Sequence, residues 1–199
     1  MRAKTDPTGK KLGMWLFLYT EIILFGGLFV LYAVYFATYT EEFIAGAKEL
    51  DLVFGVVNTV ILLISSFCVA VSVTAVQKSQ NRIVLAGGLG GALVCGAVFL
   101  VNKYIEWGHK FAHGIYPGSD RLAEGPPGQN LFFGLYYVVT GLHGLHIVIG
   151  MTLLAVSLVL VLRQKITAQN NTVLDNSGLY WHLVDLIWIF IFPLFYLVV

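Results

Sequence analysis

The chain has 199 residues, 58% hydrophobic and 12% charged, with a net charge of +1 and a mean hydropathy of +0.81. A soluble domain carries about 25% charged residues, so this composition excludes an ordinary water-soluble fold. The near-zero charge gives no electrostatic footprint for nucleic acid, so no such partner is expected. The few charges fall between long apolar runs, as in membrane proteins. No polar stretch is long enough for a second core, so residues 1–199 read as a single membrane domain.

In chain order, Met1–Lys11 is polar and basic. It lacks a short apolar core followed by a small-residue cleavage site, so no removable signal is read there. A helix needs about 20 residues to cross a hydrocarbon core, and five runs reach that length. They are Leu12–Phe36, Leu52–Val76, Ile83–Ile105, Leu131–Leu162 and Leu179–Val199. Continuous runs of this length exclude barrel strands. The expected fold is all-α, a polytopic bundle of five transmembrane helices, with the second and third forming a tight hairpin around Lys78 and Arg82. The segment Trp107–Asn130, rich in Pro and Gly, reads as an ordered loop capping one end. Cys68 and Cys95 lie within apolar runs and read as small buried side chains. Gly26, Gly27, Gly87, Gly88, Gly90, Gly91, Gly141, Gly144 and Gly150 read as positions of close helix approach.

Lys and Arg placement sets the expected orientation. Arg2, Lys4, Lys10, Lys11, Lys78, Arg82, Arg163 and Lys165 fall on one side. Lys48, Lys103, Lys110 and Arg121 fall on the other, among seven acidic residues. The N-terminus is therefore expected on the cytoplasmic side and the C-terminus on the opposite face.

Ionisable groups inside spans are costly and call for a partner or a role. Glu21 lies roughly 15 Å past Lys11 along the first helix. It reads either as a packing carboxyl or as a group linked to proton handling. Asp185 and His182, three residues apart on one face of the last helix, are expected to share a hydrogen bond, so loss of Asp185 would strand His182. His143 and His146 sit at i and i+3 on the fourth helix. A hydrogen-bonded cluster of one of them with Glu106 is expected, with His182 near the opposite face. Metal sites need three or four convergent ligands, which this pattern does not supply. Asn58 and Ser65 read as polar packing groups of the second helix. No Ser-His-Asp set, phosphate loop or dinucleotide fingerprint appears, so the residues point to a membrane subunit rather than a self-sufficient catalyst.

Several segments carry a resemblance. The first helix reads Gly13-Met-Trp-Leu-Phe-Leu-Tyr-Thr-Glu-Ile-Ile-Leu-Phe25. The second holds Asn58-Thr59, Leu62-Leu63 and Ser65-Ser66, and the third ends Lys103-Tyr-Ile-Glu-Trp107. The strongest are Thr140-Gly-Leu-His-Gly-Leu-His146 and Tyr180-Trp-His-Leu-Val-Asp-Leu-Ile-Trp188. In this order they resemble subunit III of the heme-copper respiratory oxidases, in the short five-helix form found in bacteria, which lacks the first two helices of longer members. The resemblance implies a subunit with no redox cofactor of its own, heme and copper being expected in partner subunits. Its partners would be catalytic subunit I, with subunit II in the complex, and membrane phospholipid. It implies an inner-membrane location in bacteria and a role in proton uptake, stability and oxygen access. It also implies that Glu21 is the interior acid and that His143, His146, His182 and Asp185 form a structural polar network. Three alternatives stay open from the residues: a related protein associated with nitric oxide reductase, an independent b-type heme protein, and a small channel.

Overall fold

The computed structural model describes residues 7–78 and 81–198, without the side chains of residues 7, 8 and 10. Of the basic arm, Arg2, Lys4 and the Lys10 side chain lie outside the described residues, as does Val199 of the last predicted helix. The helices are α1 (Pro7–Thr38), α2 (Thr40–Lys48), α3 (Leu52–Gln77), α4 (Arg82–Ala112), α5 (Asp120–Ala123), α6 (Pro127–Leu162) and α7 (Thr172–Tyr196). Five of them, all but α2 and α5, are long and apolar enough to cross a membrane.

The helix ends differ from the sequence expectation because apolarity and helicity do not stop together. α4 runs seven residues past Ile105, through the polar turn with His109 and Lys110 near its C-terminus. Cationic groups there suit the exposed carbonyls of a helix end. α6 opens at Pro127, where a missing N–H costs nothing. α7 begins at Thr172, seven residues before Leu179. Asp51 and Asn81 cap α3 and α4 by accepting from the backbone N–H of Val53 and Ile83 at 2.8 and 3.0 Å. The expected loop Trp107–Asn130 is thus partly helix, with α5 folded inside it.

α3 and α4 form the expected antiparallel hairpin, and α6 and α7 pack beside them. α1 joins differently. Its buried apolar residues are Leu18, Phe25 and Tyr32, spaced seven apart, which is the repeat of a narrow helix seam. That seam lies on α6 and α7. Among the described residues α1 has no contact with α3 or α4. α2 lies over the end where α1 stops and inserts the fully buried Phe43. Phe43 packs edge-on to Tyr32, Phe36 and Phe132. Tyr32 also donates its hydroxyl proton to the Leu194 carbonyl, one of the last four of α7. In lipid such contacts stabilise through packing rather than escape from water.

The glycine expectation divides. A Cβ at Gly88, Gly141 or Gly150 would strike Ser72, Trp107 or Trp181, and at Gly91 it would just touch Cys68. Gly26, Gly27, Gly87, Gly90 and Gly144 face open space, so they mark no close helix approach within this chain.

Candidate functional site

The polar side chains of the spans gather at separate depths, and each group ties together different helices. Nearest the α2 end is a closed ring. Lys103 Nζ donates to Glu106 Oε2, to the Tyr136 hydroxyl and to the Tyr196 hydroxyl, each at 2.9 Å. The two hydroxyls in turn donate to Glu106 Oε1, at 2.9 Å from Tyr136 and 2.7 Å from Tyr196. Every N–H of the ammonium and both carboxylate oxygens are therefore engaged, which is what a buried ion pair requires. The ring links α4, α6 and α7. Glu106 also borders a cup of 550 Å³ at the bundle end, lined by Glu49, Asp51, His109, Lys110, His113 and Arg121 among others. Counting charges by loop puts Lys103 among the external charges and leaves Tyr136 and Tyr196 unmarked. The i,i+3 spacing of Lys103 and Glu106 was the available signal.

The expected contact of Glu106 with a histidine of α6 is not formed. Glu106 faces Tyr136, which precedes His146 by ten residues, or about 15 Å of helix. His146 instead bonds Glu21 across α1 and α6, with Nε2 at 2.8 Å from Oε2 and Nδ1 at 2.7 Å from the Leu142 carbonyl. The carbonyl fixes a proton on Nδ1, so neutral His146 accepts at Nε2 from a protonated Glu21, while a protonated imidazole donates to the carboxylate. Measured from the common end, Glu21 lies about 21 Å along α1 and His146 about 24 Å along α6, so the two meet at one depth.

His143 is fully buried between Phe99 and Trp188, with ring centroids 5.5 and 5.2 Å away. Neither of its nitrogens has a hydrogen-bond partner among the described residues. The expected bond between His182 and Asp185 is also absent. His182 Nδ1 pairs with Ser66 Oγ of α3 at 2.7 Å, and among the described residues neither oxygen of Asp185 has a hydrogen-bond partner. Removing Asp185 therefore does not strand His182, contrary to the expectation from the sequence. The helix-face rule placed the two side chains on one side, but a serine from the neighbouring helix takes the imidazole first.

α3 supplies further ties. Asn58 Oδ1 accepts from Asn102 at 3.0 Å. Ser65 accepts from the indole N–H of Trp181 at 2.9 Å and donates to the Ala92 carbonyl at 3.3 Å. Among the described residues no group of three His, Cys, Asp or Glu side chains is arranged to hold a metal ion.

Residues 2–198 match the family model described as cytochrome c oxidase subunit III. The chain is 30% identical over 185 residues to cytochrome bo(3) ubiquinol oxidase subunit 3 of Pseudomonas aeruginosa, covering 93% of this chain and 83% of that protein. It is 33% identical over 193 residues to cytochrome c oxidase subunit 3 of a Synechocystis species, covering 96% and 76%. It is also 30% identical over 195 residues to the heme-copper oxidase subunit I+III of Aeropyrum pernix, covering 93% of this chain and 22% of that longer one.

Proposed function

Because the chain belongs to the cytochrome c oxidase subunit III family and is a membrane subunit of a heme-copper oxidase complex, we propose that it packs directly on the catalytic subunit I, with subunit II in the same complex, and serves as its scaffold. The observation that carries the scaffold role is the internal use of the polar groups. The Lys103–Glu106 ring and the Glu21–His146 pair are spent on helix-to-helix contacts. The relative whose name joins subunits I and III in one chain supports subunit I as the neighbour. Lys11, Lys78, Arg82, Arg163 and Lys165 flank the same end of the bundle. That asymmetry supports a cytoplasmic N-terminus in a bacterial inner membrane. The hemes and copper belong, on this reading, to the partner subunits, and phospholipid fills the open flanks of α1.

A tagged chain purified from native membranes in mild detergent is expected to bring a heme-bearing larger subunit, visible as a Soret band and identified by mass spectrometry. A colourless chain migrating alone overturns the reading. Glu21 is proposed to sustain the complex during turnover. Glu21→Ala removes the partner of His146, a loss of about 1–3 kcal/mol if the imidazole stays buried. It is expected to leave complex yield near wild type and to shorten the span of turnovers before oxygen consumption decays. Identical decay curves for the variant and the wild type would reject that role.

A further inference from the structure

α1 and α3 both pack on α7 but not on each other, and the gap between them is a cleft of 370 Å³. Lys11, Thr74, Gln77 and Asp175 line its outer part, so that mouth is wettable. His182 lines its deepest part, about 15 Å along α7 from Thr172. His182 Nδ1 lies 2.7 Å from Ser66 Oγ. The same serine lies beside the carboxyl of Asp185, one helical turn deeper. Asp185 is 4% exposed, and among the described residues neither of its oxygens has a hydrogen-bond partner. Cys95 of α4 is the nearby titratable group on that helix. An ionised carboxylate held there would be desolvated, with no opposite charge beside it and only the Ser66 hydroxyl to offset the cost.

We propose that Asp185 is a proton-binding site that exchanges with water through Ser66 and His182 by way of the cleft between α1 and α3. Imidazole and hydroxyl groups each accept one proton while releasing another. A proton from water in the cleft binds His182 Nε2. The proton on Nδ1 then passes to Ser66 Oγ, and the original hydroxyl proton of Ser66 passes to an Asp185 oxygen. One proton enters, one is bound, and each relay group ends neutral. Rotation of the Asp185 carboxyl toward Ser66 closes the last link. The site needs no redox partner, so it stands apart from the identity of the neighbouring subunits.

Infrared spectroscopy of the purified complex tests this. The wild type is expected to show a protonated-carboxyl stretching band that Asp185→Asn removes and that shifts on transfer to heavy water. Subtracting the variant isolates Asp185 from Glu21 and Glu106. Ser66→Ala and His182→Phe are expected to keep the band but slow its shift about tenfold or more. Thr74→Trp, placed at an exposed position of the mouth, is expected to slow it too while leaving the relay untouched. If the two relay variants fail to assemble, Thr74→Trp decides. A wild-type spectrum without the band, or a shift as fast in Thr74→Trp as in the wild type, overturns the proposal.

Discussion

Glu106→Ala is expected to cut the yield of assembled protein severely, with Lys103→Met much milder. The asymmetry follows from the ring. Lys103 has a side chain only 9% exposed and directs all three N–H groups at Glu106, Tyr136 and Tyr196. Without the carboxylate, its charge keeps two neutral hydroxyls and no counter-ion. Breaking one side of a buried ion pair costs roughly 3–5 kcal/mol, a large share of the 5–15 kcal/mol that holds a typical fold. Lys103→Met leaves a carboxylate that still accepts from both tyrosines. The double variant Lys103→Met, Glu106→Gln removes both charges at similar volume, and it is expected to recover most of the loss of Glu106→Ala. Thermal aggregation in detergent, followed by size-exclusion chromatography, ranks the three. Equal stability of Glu106→Ala and wild type would show that the ring contributes nothing.

Trp181→Ala is expected to be at least as damaging, by a different route. The indole is fully buried and joins four helices. It leaves α7, donates its N–H to Ser65 of α3 and lies over two glycines, Gly96 of α4 and Gly150 of α6. A Cβ built at Gly96 would sit 3.0 Å from the ring, and one at Gly150 only 2.8 Å away. Removing the indole opens a void that these helices cannot close without moving, and Trp→Ala in packed interiors costs roughly 3–5 kcal/mol. Gly150→Val attacks the same contact from the other side by overfilling it, at about 1–3 kcal/mol. Trp181→Phe makes room for the extra carbons, so Trp181→Phe with Gly150→Ala is expected to exceed Gly150→Ala alone in stability. Additive losses in that pair would mean that the ring and the glycine do not share one contact.

These effects rest on features of unequal visibility in the sequence. The five spans are plain because uninterrupted apolar runs of membrane length have few other uses. α2 is not legible in the sequence, since its nine residues carry two acids and a lysine and bury only Phe43, Gly46 and Ala47. Such an element gains its shape from the bundle end it covers. Lys103 reads as external because counting charges by loop treats each as solvated. Its partners Tyr136 and Tyr196 come from helices 33 and 93 residues away. The Glu21–His146 pair spans 125 residues, and it becomes visible only when both helices are measured from the same end. Ser66 displaced Asp185 as the partner of His182, because spacing along one helix cannot weigh a competitor on the next.

The single seam of α1 has a consequence for how the chain is made. The ribosome delivers α1 first, yet the surface that receives it belongs to α6 and α7, which begin at Pro127 and Thr172, long after α1 ends at Thr38. At about 5–20 residues per second, α1 waits on the order of ten seconds in the bilayer before that surface exists. Its anchoring groups, Glu21 above all, must be tolerated by lipid for that interval. The order of synthesis thus keeps the first helix from docking until both α6 and α7 have emerged.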